Sequence, residues 1–282
     1  MSRLTEHSRL PRSFHKTFKP ERQYLNAMLR YAASGQEGDY QAIAAATGIP
    51  TGASSGKVPA ILDYCRGMGL VKLIGPERSS IKRPDLTSFG RIVLLEDPFL
   101  KTTVSQWIAH LNLCRPLMGA DVWYHTFVAG AQGLGMTFAR AALEDHLSAT
   151  YGVDKSGLIG PLVGTYEDEA AFKLCGALSE AKGIIVRKPA PIADELGLAY
   201  GAWIVQVLAE HFPKRRQVPI TTLDAVAGWR TIPGWDVNSL QRVLSLVERK
   251  GVMEVDRHME PWLLVPKVAP DDTWKHVYSD ML

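Results

Sequence analysis

Tyr24-Leu25-Asn26-Ala27-Met28-Leu29-Arg30-Tyr31-Ala32-Ala33 sets apolar side chains at 24, 25, 28, 29 and 32, the spacing of one helix face. Ser34-Gly35 ends that helix, with glycine in the expected position just past it. Asp39 is placed to cap a second helix over 40–47, which Gly48 and Pro50 stop. Beyond the Pro50-Thr51-Gly52 turn, Ser54 or Ser55 caps a third helix running to about Gly67, with Pro59 early enough to be tolerated. Gly69 then releases a β run, Leu70-Val71-Lys72-Leu73-Ile74, and Ile81-Lys82-Arg83 pairs back across a polar loop. Three short helices followed by a hairpin is the order of a winged helix-turn-helix.

Working outward, Thr87 caps a helix over 88–96 that Asp97-Pro98 breaks. From 101 to about 182 the pattern predicts helices and no strand: VSQWIAHLNLC (104–114), VWYHTFVAG (122–130), MTFARAALEDHLSATY (136–151) and DEAAFKLCGALSEAK (168–182), punctuated by glycines. Pro189 and Pro191 mark a linker. An amphipathic helix is expected over 198–212, followed by a basic turn, Pro213-Lys214-Arg215-Arg216. Thr222 caps a short helix through Trp229, and Asp236 or Asn238 caps a longer one over 239–250. Residues 252–255 and 262–265 then read as a second hairpin. The expected fold is mainly α with small β-hairpins. It divides into a basic N-terminal arm (1–23), a winged helix-turn-helix (24–100), a central helical region (101–188), a second winged-helix-like module (189–268) and a C-terminal tail (269–282).

The 282 residues are 46% hydrophobic, enough to bury a sizeable core without staples. Three cysteines, Cys65, Cys114 and Cys175, show no CxxC or Cys/His spacing, which argues against a disulfide framework or a structural zinc. No apolar run of 18 residues exists and the first 22 residues lack an apolar signal region, so a cytoplasmic protein without membrane association is expected. Net charge is +3, but its distribution is uneven. Residues 1–100 hold 14 Lys/Arg against 9 Asp/Glu, 101–190 hold 8 of each, and 191–282 hold 10 against 12. The basic excess is densest at Arg3, Arg9, Arg12, Lys16, Lys19 and Arg22, one footprint of nucleic-acid binding. Arg3 to Arg9 reads equally as a solvated terminus, whereas Phe14 and Phe18 should dock the chain from Arg12 onward.

Gly48-Ile49-Pro50-Thr51-Gly52-Ala53-Ser54-Ser55-Gly56-Lys57-Val58, with Asp63-Tyr64 and Gly67-Met68-Gly69-Leu70 downstream, resembles the SspB-type family of bacterial DNA phosphorothioation gene clusters, which is distinct from the protease adaptor of the same name. Phe14-His15-Lys16-Thr17-Phe18 is similar to that family's aromatic-His-x-Thr-Phe signature. Leu86-Thr87-Ser88-Phe89-Gly90, Asp97-Pro98-Phe99-Leu100, Trp107 with His110, and Trp123-Tyr124 add to the likeness. It covers residues 14–130; beyond them it rests on helix order. The resemblance implies a DNA-binding component of a system that installs sulfur in the DNA backbone and defends against phage. Its partners would be an ATPase and a sulfur-transfer enzyme, and its activity the nicking of double-stranded DNA. Many members carry an acidic residue between that His and Thr; Lys16 could not serve as a metal ligand there.

The residues themselves support part of this. A reading helix presents its first residues to DNA, here Ser54, Ser55 and Lys57, while Gly56 lets a phosphate approach the backbone. Lys72, Arg78, Lys82 and Arg83 fall on the wing, where phosphate contact is usual, and Arg12 belongs to the arm. Strand cleavage needs an activated water and charge stabilisation, usually from carboxylates with Mg2+ or Mn2+, and no organic cofactor is expected. Glu180-Ala181-Lys182 with Asp168 reads as surface helix, so His15 as base and Lys16 as phosphate partner are the catalytic candidates, with no metal ligand assigned. Flanking aromatics equally suit His15 to a packed position, and His110 and His125 read as core residues beside Trp107, Trp123 and Tyr124. Gly52 to Lys57 lacks the spacing of a phosphate-binding loop of NTPases. The competing reading is a non-enzymatic winged-helix protein, a transcription regulator or a scaffold loading the modification enzymes, with the apolar middle leaving a homodimer open.

Overall fold

The computed structural model describes residues 9–52, 56–76, 78–152 and 156–281. The first helices follow the sequence closely: α1 (Arg22–Ala33), α2 (Tyr40–Thr47), α3 (Lys57–Gly67) and, after a hairpin, α4 (Ser88–Glu96). Asp39 caps α2 by accepting from the Gln41 and Ala42 amides at 3.0 and 2.8 Å, and Thr87 Oγ1 caps α4 by accepting from Gly90 N at 2.9 Å. Gly90 is required for a second reason, since a Cβ there would fall on the Leu70 carbonyl oxygen. The hairpin is β1 (Val71–Leu73) against β2 (Pro84–Leu86), with Lys72 facing Asp85. Its return strand therefore begins beyond the expected 81–83. Lys82 instead exchanges both backbone hydrogen bonds with Gly38, at 2.8 and 3.1 Å, just ahead of α2.

The middle third corrects the sequence reading. Here α5 (Thr103–Leu113) is buried on every side, and α6 (Asp121–Tyr124) runs through one π-helical turn over His125–Ala129 into α7 (Ala131–Leu134). Then β3 (Thr137–Ala139) leads into α8 (Arg140–Tyr151) and α9 (Ser156–Glu167), and a hairpin of β4 (Leu178–Ala181) and β5 (Ile184–Arg187) follows. These strands form an antiparallel sheet in the order β3-β5-β4, where only helices were expected. Strands of three or four residues hardly register in a hydrophobic pattern, and β3 runs directly into a helix. Arg187 ties this sheet to the π turn, donating to the carbonyls of Thr126 at 2.8 Å and Ala131 at 3.2 Å.

In the last third, α10 (Gly197–His211) is a buried central helix rather than an amphipathic one. A short strand, β6 (Val218–Pro219), was not expected; it feeds α11 (Ile220–Ala227), which starts before Thr222 and so takes no cap from it. Asp236 caps α12 (Val237–Arg249) through Ser239 N at 2.7 Å. The hairpin of β7 (Met253–Asp256) and β8 (Leu263–Pro266) completes a sheet in the order β6-β8-β7.

One arrangement thus recurs three times: helix, strand, two helices, then a hairpin whose second strand pairs with the first strand. In the first occurrence the Gly38–Lys82 bridge stands where that first strand would be. The three are not separated. Pro189 and Pro191 flank Ala190, which is buried, donates to Pro233 O at 2.8 Å and accepts from the Trp235 indole at 3.2 Å. Finally α13 (Pro270–Trp274) returns to the first third, with the Trp274 ring 4.9 Å from Phe89 and its N–H on Gln206 at 2.7 Å. Tyr278 OH lies 2.6 Å from Ser105 Oγ. A continuous core runs through all three occurrences and buries Cys65, Cys114 and Cys175 as free thiols. Among the described residues no helix is long and apolar enough to cross a membrane.

Candidate nucleic-acid interface

Residues 9–21 lie as an ordered strap against α6, α9 and the start of α3. Leu10 exchanges backbone hydrogen bonds with Gly119 and Asp121, and Arg9 donates to Asp121 Oδ1 at 2.8 Å while covering the Tyr124 ring. Docking therefore includes Arg9 and Leu10, ahead of Arg12 where the aromatics place it. Three tight turns follow, closed by Phe14 N on Pro11 O, Lys16 N on Ser13 O and Phe18 N on His15 O. The last needs a left-handed backbone at Lys16, whose φ is 52°, a conformation that costs a non-glycine residue about 1 kcal/mol or more.

The turns send His15 and Lys16 in opposite directions. His15 is 0% exposed, edge-on to Phe14 and Trp123, with Nδ1 2.7 Å from the Lys16 carbonyl oxygen. Nδ1 therefore carries the proton, and Nε2 is buried without a partner. Burial lowers the His15 pKa, and its contacts with the Lys16 and Arg12 backbones only partly oppose that. Lys16 points outward, and its ammonium lies over Gly56: a Cβ at 56 would collide with it. The sequence thus brings an exposed cation to the backbone that opens an 11-residue helix, where the helix dipole and unpaired amides favour an anion. Arg12, also exposed, sits 5.3 Å from the Tyr151 ring centroid.

Other candidates lie elsewhere. Ser54 and Ser55 fall outside the described residues. Lys57 turns away from the α3 terminus, bonding Glu21 Oε1 at 2.7 Å with its ammonium 4.2 Å from the Tyr24 ring centroid. On the hairpin, Lys72 is 3.4 Å from Asp85, Arg78 and Arg83 are exposed, and the Lys82 ammonium is 6.0 Å from the Tyr40 ring centroid. Arg12 and Lys16 belong to the strap, with Gly56 beneath Lys16, while Lys72, Arg78, Lys82 and Arg83 form a second group on the hairpin.

Lys19 was missed. It pairs with Asp168, whose carboxyl that hydrogen bond holds below its usual pKa, and its stem covers Gly164 of α9 so closely that a Cβ there would lie 2.6 Å from Lys19 Cδ. The usable signal was Pro20, buried directly behind it. Glu180 lies on β4 rather than on a surface helix, and Arg140 holds it at 2.6 Å. His110 is a core residue as expected: Trp123 Nε1 donates to Tyr166 OH at 2.9 Å, and Tyr166 in turn donates to His110 Nδ1 at 2.6 Å. Burial drives the His110 pKa down to about 3.

No protein-family model matches the chain, and no curated protein does. Two solved structures do. A magnesium ion-bound SspB crystal structure superposes with a TM-score of 0.70 at 14% identity, covering 100% of this chain and 90% of that one. A second SspB crystal structure gives 0.67 at 15% identity, covering 99% and 90%. The likeness read from residues 14–130 extends to the remaining helices and sheets, and over its whole length this chain has the SspB fold.

Proposed function

We propose that this chain is the DNA-binding component of a DNA phosphorothioation system that acts in phage defence, nicking duplex DNA so that sulfur can be inserted. The observation that carries this is the full-length SspB fold joined to the signature at residues 14–18, which sets Lys16 over Gly56. Each recurrence of helix, strand, two helices and hairpin is read as a winged helix, over 24–100, 101–188 and 189–268. Arg12 and Lys16 contact phosphates on the strap, and Lys72, Arg78, Lys82 and Arg83 do so from the first hairpin. The partners are an ATPase and a sulfur-transfer enzyme.

One SspB structure is magnesium-bound. Among the described residues here, no three His, Cys, Asp or Glu side chains come together, and Lys16, which follows His15 in the signature, is not a metal ligand. These residues do not fit a protein-held ion, so no step is assigned to one. A second reading, a scaffold that loads the modification enzymes without cutting, is favoured by the burial of His15. A general base must come within about 3 Å of the proton it takes, and Nε2 is enclosed.

Incubation with supercoiled plasmid in Mg2+ or Mn2+ separates the readings. Nicking gives open circles that disappear with chelator; duplex binding with no open circles under any divalent ion supports the scaffold. Affinity should fall steeply with salt, each neutralised phosphate adding about −0.9 to the slope of log K against log salt. Arg12→Ala with Lys16→Ala should therefore flatten the slope by about 2. Salt-independent affinity, or a slope unchanged by the pair, would count against the strap as a DNA surface.

A further inference from the structure

The third helix of each recurrence offers a different face to solvent. α3 buries Val58, Ala60, Ile61, Leu62, Tyr64 and Cys65, and its Asp63 and Arg66 pair with each other at 2.8 Å. α9 presents Gly157 and Gly160, which bring no side-chain donor or acceptor. α12 differs. It buries Leu240, Val243, Leu244 and Val247 and exposes Asn238, Gln241, Arg242, Ser245 and Arg249. Those five fall at i, i+3, i+4, i+7 and i+11, a single face of a 13-residue helix, and line an open groove of about 630 Å3.

We propose that this face of α12 reads base edges in the major groove of duplex DNA. The inference rests on the DNA-binding reading above and moves sequence recognition from α3, where the sequence places it, to the last third of the chain. Asn and Gln have the paired donor and acceptor that match adenine, Arg the fork that matches guanine, and Ser serves either. Among the described residues Arg242 enters no ion pair, while Arg249 is 3.5 Å from Asp194 at the far end of the helix. The helix is about 20 Å long, and the major groove, about 12 Å wide, admits one helix. The adjacent hairpin is fixed to it: Arg257 forks onto Glu248 at 2.7 and 2.9 Å, holding the β7–β8 tip against α12.

The test is selection from a pool of duplexes with a randomised core, by the full chain and by Asn238→Ala/Gln241→Ala/Arg242→Ala. The native protein should enrich a motif. The variant should lose that motif and bind the selected duplex about tenfold or more weakly, while still binding duplex non-specifically through the strap. All three side chains are exposed, so the fold should survive. As a second measurement, a photocrosslinking residue at Gln241 should capture the duplex, and one at the exposed Leu95 should not. Three results overturn the inference and leave DNA binding standing: binding with no enriched motif, a variant that keeps the motif, or crosslinks from 241 to a second copy of the chain instead of DNA. Absence of any duplex binding by the native protein overturns both.

Discussion

Lys16 shows how one residue holds backbone strain and a candidate ligand contact together. Lys16→Gly should leave stability unchanged or raise it by up to about 1 kcal/mol, because glycine accepts a φ of 52° without a Cβ clash. Both Lys16→Gly and Lys16→Ala should weaken DNA binding; urea midpoints alongside binding curves separate the two effects. His15→Ala should cost about 2–4 kcal/mol, the range for emptying a tightly packed buried site. The two most buried histidines also set a pH dependence. His15 and His110 have folded pKa values below 6.5, so the unfolded chain binds protons first as pH falls. Their stabilisation is complete above about pH 6.5 and is lost progressively toward the folded values, near pH 3 for His110. Denaturation followed between pH 7 and 4 should show falling stability, and His110→Gln should flatten that slope. At this scale the sequence was legible where the physics is local: Asp39, Thr87 and Asp236 cap helices as their spacing requires. Lys57 was not, because Glu21, 36 residues earlier, takes its ammonium.

The elements that escaped notice are the short ones. Leu178-Ser179-Glu180-Ala181 carries no β-branched residue and Thr137-Phe138-Ala139 is too short for alternation to register, yet both pair with Ile184–Arg187. Their pairing comes from tertiary context, which a single sequence conceals. The same holds for Pro189 and Pro191. Two prolines read locally as a linker, but the segment is fixed from outside, with Tyr200 OH donating to Pro191 O at 2.6 Å and Trp235 donating to Ala190 O. Limited proteolysis should accordingly leave 188–196 intact; an early cut there would show these hydrogen bonds to be too weak to hold the segment. The α1 to α3 order was readable because each of these helices carries its own stop: Gly35, Gly48 and Gly69 all adopt positive φ.

At the scale of the molecule, nothing local announced that the last helix belongs to the first core. Trp274 is 1% exposed, packed on Phe89 and bonded to Gln206. Trp274→Ala should cost about 3–5 kcal/mol and lower Tm by on the order of 10 °C. With a continuous core, calorimetry should show that loss in a single transition; two separated transitions would mean the thirds unfold independently. The contact also orders events in time. Phe89 is synthesised 185 residues before Trp274 (274 − 89), which at an elongation rate of about 5–20 residues per second is roughly 10–40 s. For that interval the first third folds without α13, so the face of Phe89 that Trp274 will cover is the last part of this core to close.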